Sequence, residues 1–476
     1  MYDSPLSTFG ILYVISEWVI RILMLFYVPR RRSSAATRTW LLLIFFLPIP
    51  GLLLYIIIGK IQLPAYRIAI QHAASRKILE LQSKLLPAGI TPPIPEYLLP
   101  CYQLACKLGD FRAVEGNHIE ILRDYEESLD KLIEDIEKAK TSVHLLTYIF
   151  GDDRIGQRFA EALASAVQRG VHCRLLIDSV GSHEAFDRLV PWMREQKVEV
   201  IEVLPVGLFR SKAARLDLRN HRKIGIIDHQ IGYIGSQNLV APDFVEDHPN
   251  EEVVARVTGP VVAQIEALFY ADHYVETEVE LPGVQNLVIP EKTGSTSAQL
   301  FPSGPAYPRA NHQELLVALI HSAREELFIV TPYFVPDDIF LHALRTARDR
   351  NVKIDIIVPL NADNRFTRLA QESHYEELLD CGIGIHRYRK GFLHAKHILI
   401  DHTMAVIGST NIDIRSFALN AEASLLVYER AAVIELENLN QRYLRDSDPV
   451  DINTWKQRPA WKQVLESLAR LADSLL

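Results

Sequence analysis

The sequence predicts a layered α/β body, made from one unit used twice with mixed β-sheets, carried on an N-terminal membrane anchor. Three observations predict it: helical and strand-like periods alternate in both halves, an eighteen-residue string recurs once in altered form, and the first sixty residues hold two long apolar stretches. At 476 residues and 48% hydrophobic content the chain can bury two substantial cores. Its net charge of -8 (51 basic against 59 acidic side chains) argues against a general nucleic-acid-coating protein, and no nucleic-acid partner is expected. The four cysteines, Cys101, Cys106, Cys173 and Cys381, form neither a disulfide framework nor a zinc cluster.

The anchor occupies residues 1–60. Trp40 to Gly59 runs twenty residues without a charge, about the length that crosses a hydrocarbon core, and Pro48, Pro50 and Gly51 mark a place to bend or turn back. Ile11 to Val28 is the second stretch, interrupted by Glu17 and Arg21, which stand four apart and can pair on one helix face. Two spans are expected, with an interfacial or re-entrant first segment as the competitor. A cleavable signal peptide fits poorly, because the N-terminus lacks a basic region and a second apolar segment follows. The address is an inner membrane, without a side for the large domain: Arg30, Arg31, Arg32 and Arg38 on one flank balance Lys60, Arg67, Arg76 and Lys77 on the other. Residues 61–110 form an adaptor, with helical spacing from Ile68 to Leu86 and then a stiff connector at Pro87, Pro92, Pro93, Pro95 and Pro100.

The body follows as two units, 111–285 and 286–476, divided in the Pro/Gly/Ser/Thr-rich stretch from Leu281 to Pro308. In the first unit, Tyr125 to Ala139 reads as a helix, Ser142 to Phe150 as a buried strand, Ile155 to Gln168 as a helix and Val171 to Val180 as a strand. The second unit replays the order with Asn311–Ala323, Glu326–Phe334, Ile339–Asp349 and Val352–Leu360.

The recurring strings are HRKIGIIDHQIGYIGSQN, with His221, Lys223, Asp228, Gly235, Ser236 and Asn238, and HAKHILIDHTMAVIGSTN, with His394, Lys396, Asp401, Gly408, Ser409 and Asn411. Each position in the second string lies 173 residues after its match. On a strand, His and Lys two apart share a face. A phosphodiester explains these types: imidazole attacks phosphorus or moves a proton near neutral pH, lysine offers a compact positive charge to the non-bridging oxygens, and Asn and Ser donate without adding charge. Facing copies would put two histidines about one phosphorus, one as nucleophile and the other as acid and then base. Each imidazole needs an orienting partner; Glu422 serves one, and Glu251 or Glu252 the other. Asp228 and Asp401 close their strands and are read mainly as holding loops and neighbouring basic groups.

These paired strings resemble the signature of the phospholipase D superfamily. Within it the chain is similar to bacterial cardiolipin synthases over residues 10–450, through the two apolar segments, the NHRK at Asn220 to Lys223, TPYFVPDD at Thr331 to Asp338, ESHYEELLDCGI at Glu372 to Ile383 and YRKGFLHAK at Tyr388 to Lys396. The resemblance implies two pseudo-symmetric phospholipase D-like domains with the site at their junction. It implies His221 as nucleophile, His394 as acid and base, a catalytic set completed by Lys223, Asp228, Lys396 and Asp401, and phosphate binding by Lys223, Lys396, Asn238 and Asn411. The implied reaction joins two phosphatidylglycerol molecules in a bacterial membrane and releases glycerol, without a cofactor. Asp272-His273 stands where the family commonly has Asp-Trp, which weakens the lipid assignment more than the catalytic class.

Other readings weigh less. His229, His397 and His402 lie beside the strings, but the phosphate reading accounts for them without a metal. Ser236 and Ser409 lack a nucleophile elbow and are supporting residues. Tyr148 and Tyr333 are expected in the core or a pocket wall, and Arg219 and Arg222 stay outside the core assignment. The competing functions are a hydrolytic phospholipase D, transfer to another headgroup, a nuclease, and a membrane scaffold.

Overall fold

The structure, a computed structural model, describes residues 8–31, 34–59, 65–85, 90–206, 217–242, 249–281, 287–307 and 309–471; Arg32, Lys60, Pro87 and part of the inter-repeat stretch lie outside the described residues. One fifteen-stranded mixed sheet runs through both repeats. From the centre outward the first repeat orders its strands Val114–Leu122, Val254–Thr258, Ile231–Gly235, Ile224–Ile227, Ser142–Thr147, His172–Asp178 and Glu199–Val203. The second repeats this as Thr296–Ser303, Glu422–Val427, Met404–Gly408, His397–Ile400, Glu326–Val330, Lys353–Pro359 and Gly384–Tyr388, and adds Ser447–Pro449 at the edge. The halves meet where Val114–Leu122 pairs antiparallel with Thr296–Ser303. The two repeats are therefore one continuous sheet, and a single apolar core crosses the junction.

Local chemistry explains the elements. Asp124 caps helix Tyr125–Lys138 through the Glu127 N–H, Asp153 caps Arg154–Gln168, and Asp337 caps Asp338–Asp349. The outer strands pair in parallel, Ser142–Thr147 with His172–Asp178 and Glu326–Val330 with Lys353–Pro359, as helical crossovers require. The string strands instead form tight hairpins, with Ile227 opposite Ile231 and Ile400 opposite Met404. Their turns place Asp228, His229, Asp401 and His402 at φ of 52, 60, 49 and 56°, a left-handed conformation that costs energy for side chains other than glycine.

The adaptor helix, Ala65–Leu85, packs on the body: Ala74 and Ile78 join the central core, and Arg67 makes a buried bidentate pair with Glu276 at 2.8 and 2.9 Å. In the anchor, Thr8–Tyr27 is a continuous helix whose Phe9–Tyr27 portion is long and apolar enough to cross a membrane. Glu17 and Arg21 pair within it at 3.3 Å, and Arg21 Nε also donates to the Phe45 carbonyl at 3.0 Å. Trp40–Gly59 departs from the expected single span. It breaks at Leu47 into helices Ser34–Phe46 and Pro48–Ile58, which fold back until the Trp40 and Tyr55 rings meet edge-on at 5.1 Å. Fifteen residues of straight helix would hold those rings roughly 22 Å apart. Proline at the start of the second helix and the close approach of Gly51 to Ile44 permit the reversal.

Candidate active site

Each string delivers its histidine to the junction by the same device. The His221 N–H donates to the Ala421 carbonyl at 2.8 Å, and the His394 N–H to the Glu251 carbonyl at 2.9 Å, so each histidine is stitched to backbone of the opposite repeat. The next residue along that backbone is the orienting carboxylate. Glu422 Oε2 lies 3.0 Å from His221 Nδ1, and Glu252 Oε1 lies 2.6 Å from His394 Nδ1. Of the adjacent pair, Glu252 faces the imidazole, whereas Glu251 bonds Tyr388 Oη and Arg442. An imidazole that gives its Nδ1 proton to a carboxylate presents Nε2 with its lone pair. Lys223 and Lys396 fold over the same backbone, each donating from Nζ to the carbonyl of its own histidine at 2.6 Å. Ser409 Oγ donates to Glu422, and Ser236 and Ser409 also accept the N–H of Val253 and Ala423 beside the two carboxylates.

His221, His394, Asn238 and Asn411 line one cleft of about 450 Å³. Asn238 Oδ1 accepts the Ile149 N–H at 3.2 Å, and the buried Asn411 Oδ1 has no partner. Tyr148 and Tyr333 form the walls; the Tyr148 ring lies 5.0 Å from His221 and the Lys223 ammonium 5.4 Å from the same ring.

Burial sets the charges. It pushes the His221 imidazole well below its ordinary range, helped by Lys223, Lys396 and His394, and it lowers His394 as well. Lys223 falls to about 7 and Lys396 to about 8, again chiefly through burial, although Glu422 and Glu252 partly offset it. The carboxylates differ. Burial raises Glu422 to about 7, whereas for Glu252 burial is outweighed by His394 and Lys396, and the carboxyl ends below its usual value.

Asp228 and Asp401 are not brought to the cleft. Seven residues of extended chain place each roughly 20 Å from its histidine, at the far end of the strand. Asp228 accepts the N–H groups of Lys140, Thr141 and Ser142; Asp401 accepts those of Arg324, Glu325 and Glu326 together with Tyr97 Oη. The direct catalytic role implied for these two is corrected on that geometry to holding the left-handed turn against the neighbouring strand. The flanking histidines are structural in the same way: His229 binds Glu266, His402 binds Glu437 and His397 binds Asn440. Among the described residues no cluster of His, Cys, Asp or Glu is arranged to hold a metal.

Some cleft residues escaped sequence reasoning or were left outside the core assignment. Arg219 lines the cleft with its guanidinium 3.2 Å from Asp178, and Arg415 and Asn250 line it beside the strings. Their only signal was position, two residues before His221 for Arg219 and four after Asn411 for Arg415. Arg222 instead is buried as a brace, bonding Asp272 and the carbonyls of Glu422 and Ser303.

With this geometry in place, comparison with known proteins is decisive. The family described as "Cardiolipin synthase, PLD-like domain" matches residues 132–273 and 316–444, and "Phospholipase D-nuclease N-terminal" matches 18–60. Cardiolipin synthase A of Yersinia pseudotuberculosis serotype IB (strain PB1/+) is 34% identical over 486 aligned positions, covering 99% of this chain and 98% of that protein. This chain belongs to the cardiolipin synthase family of the phospholipase D superfamily. Cardiolipin synthase A of Yersinia pestis bv. Antiqua (strain Angola) matches with the same identity and coverage. Phosphatidylserine synthase from Haemophilus influenzae Rd KW20 shares the fold, with a TM-score of 0.60 at 16% identity over 80% of this chain and 99% of that one. This member of the family carries the paired strings on a single sheet, with crossed histidine–carboxylate pairs at its centre.

Proposed function

We propose that this protein transfers a phosphatidyl group between two phosphatidylglycerol molecules, making cardiolipin and glycerol. The observation that carries the reading is the pair of buried imidazoles facing one cleft, each held by a carboxylate from the other repeat. His221 Nε2 attacks phosphorus; a P–N bond forms as the P–O bond to the glycerol headgroup breaks, and His394 gives its proton to the departing oxygen. His394 then takes the proton of a glycerol hydroxyl on the second lipid. That oxygen attacks phosphorus, the P–N bond breaks, and His221 is regenerated. Burial lowers both imidazoles; it keeps His221 neutral at rest, as a nucleophile requires, and His394 gains its proton with the anionic substrate, where the ionised Glu252 stabilises the charged form. Lys223, Lys396, Asn238 and Asn411 surround the non-bridging oxygens. One phosphodiester replaces another, so no external energy source is needed.

The protein acts in a bacterial inner membrane, held by the Thr8–Tyr27 helix as a crossing segment and by the Ser34–Ile58 pair embedded beside it. Purified full-length protein in phosphatidylglycerol-containing vesicles is expected to form cardiolipin and glycerol in equal amounts; phosphatidic acid as the main product would establish hydrolysis instead. Acid-quenched His221→Ala is expected to trap no lipid phosphate, whereas label recovered on the His394 peptide would reverse the two roles.

A further inference from the structure

The C-terminal helix, Ala460–Arg470, takes no part in the cleft, and its two faces differ sharply. Inward, Ala469 packs with Ala370 and Val335, and Glu466 pairs with Arg458 at 2.9 Å. Outward, Trp461, Val464, Leu465, Leu468 and the following Leu471 recur every three or four residues and are 66, 57, 43, 56 and 65% exposed. Five large apolar side chains in one stripe are poorly accommodated by water. Eleven residues extend only about 16 Å, too short to cross a bilayer.

Two observations identify what covers this stripe. Thr39 Oγ1 donates to the Leu471 carbonyl at 3.3 Å, which joins the end of this helix to the folded-back apolar pair of the anchor, where Leu42, Phe45 and Phe46 are also exposed. The apolar surface of the anchor therefore continues onto the C-terminal helix. The helix also packs on Arg365–Glu372, the rim of the cleft, from which Thr367 faces the cavity while Arg365 and Arg368 are exposed. An apolar stripe that begins with tryptophan, beside a rim that exposes Arg365 and Arg368, suits the boundary between anionic headgroups and acyl chains.

We propose that Ala460–Arg470 is an interfacial helix that lays its Trp461–Leu471 face into the bilayer surface and seats the second repeat's cleft rim on the lipid. The inference rests on the reading of the N-terminal segments as a membrane anchor. It places the mouth of the cleft at headgroup level, so a phosphodiester reaches the imidazoles without its acyl chains leaving the membrane.

Tryptophan emission tests this on the full-length protein, in vesicles of phosphatidylglycerol and phosphatidylethanolamine brominated high on the acyl chains. Comparison with Trp461→Phe isolates one of the five tryptophans. The Trp461 emission is expected to be quenched by bromolipid and shielded from aqueous iodide. Quenching by iodide but not by bromolipid overturns the proposal, as does shielding from both with concentration-dependent cross-linking, which would make the face a contact between copies. A Val464→Glu, Leu468→Glu variant is expected to lose about tenfold of its rate on vesicle phosphatidylglycerol and to keep its rate on a short-chain monomeric analogue. Equal rates on vesicles, or equal loss on both substrates, overturn it too. The quenching measurement needs no turnover, so its result stands apart from the outcome of the transfer assay.

Discussion

Two ammonium groups packed among two imidazoles and two carboxylates titrate together, and this coupling gives the site a distinctive pH dependence. In the free protein Lys223 and Lys396 lose protons as pH rises through about 7 and about 8, and with them the charge that attracts a phosphodiester. Thus kcat/KM is expected to fall above neutrality. A bound phosphodiester restores the proton, so the alkaline limb of kcat should lie at higher pH; superimposable limbs in the two profiles would contradict this. On the acid side, activity should persist below the usual imidazole range, because His221 is held neutral there. Lys223→Met and Lys396→Met are each expected to lower kcat by about 10²–10³-fold, the scale of losing one oxyanion donor. The spacing of His and Lys made these side chains legible in the sequence. The choice between Glu251 and Glu252 was not legible, because neighbouring residues of a strand face opposite ways and only the pairing of Leu393 with Glu251 fixes which one turns inward.

At the scale of elements, the third letter of each string belongs to the turn. Asp401 receives three backbone N–H groups and the Tyr97 hydroxyl while its own backbone is left-handed. Asp401→Ala strands those donors and is expected to cost about 2–4 kcal/mol, read as a lowered Tm, while the fraction that stays folded keeps most of its kcat. An unchanged Tm with abolished turnover would return the residue to the chemistry. Alternating periods made the body's helices legible, and their caps fall at Asp124, Asp153 and Asp337. The reversal at Leu47 was half legible: Pro48, Pro50 and Gly51 marked a place to bend or turn back, and hydropathy, which reports only the length of an apolar run, does not choose between the two. The packing of Trp40 on Tyr55 makes it a return.

On the scale of the whole molecule, duplication provides more than two copies of a motif. The repeats are interlocked, since the histidine of each is bonded to backbone and carboxylate of the other, and neither site half is complete alone. Exact spacing of the strings revealed the duplication, but the crossing could not be read from it, because a glutamate that follows Asn411 in sequence lies as near either imidazole until the sheet is assembled. The crossing makes a specific prediction. Glu422 lies in the second repeat yet orients His221, so Glu422→Gln should impair formation of the phosphohistidine, seen as a slower burst of released glycerol. Glu252 lies in the first repeat yet orients His394, so Glu252→Gln should affect proton delivery to the leaving oxygen and its recovery from the acceptor. A substrate whose leaving group needs no protonation, such as a nitrophenyl phosphodiester, separates them: Glu252→Gln should regain much of its burst rate with it, and Glu422→Gln should not. Rescue of Glu422→Gln instead would mean that each carboxylate serves the histidine of its own repeat in the reaction.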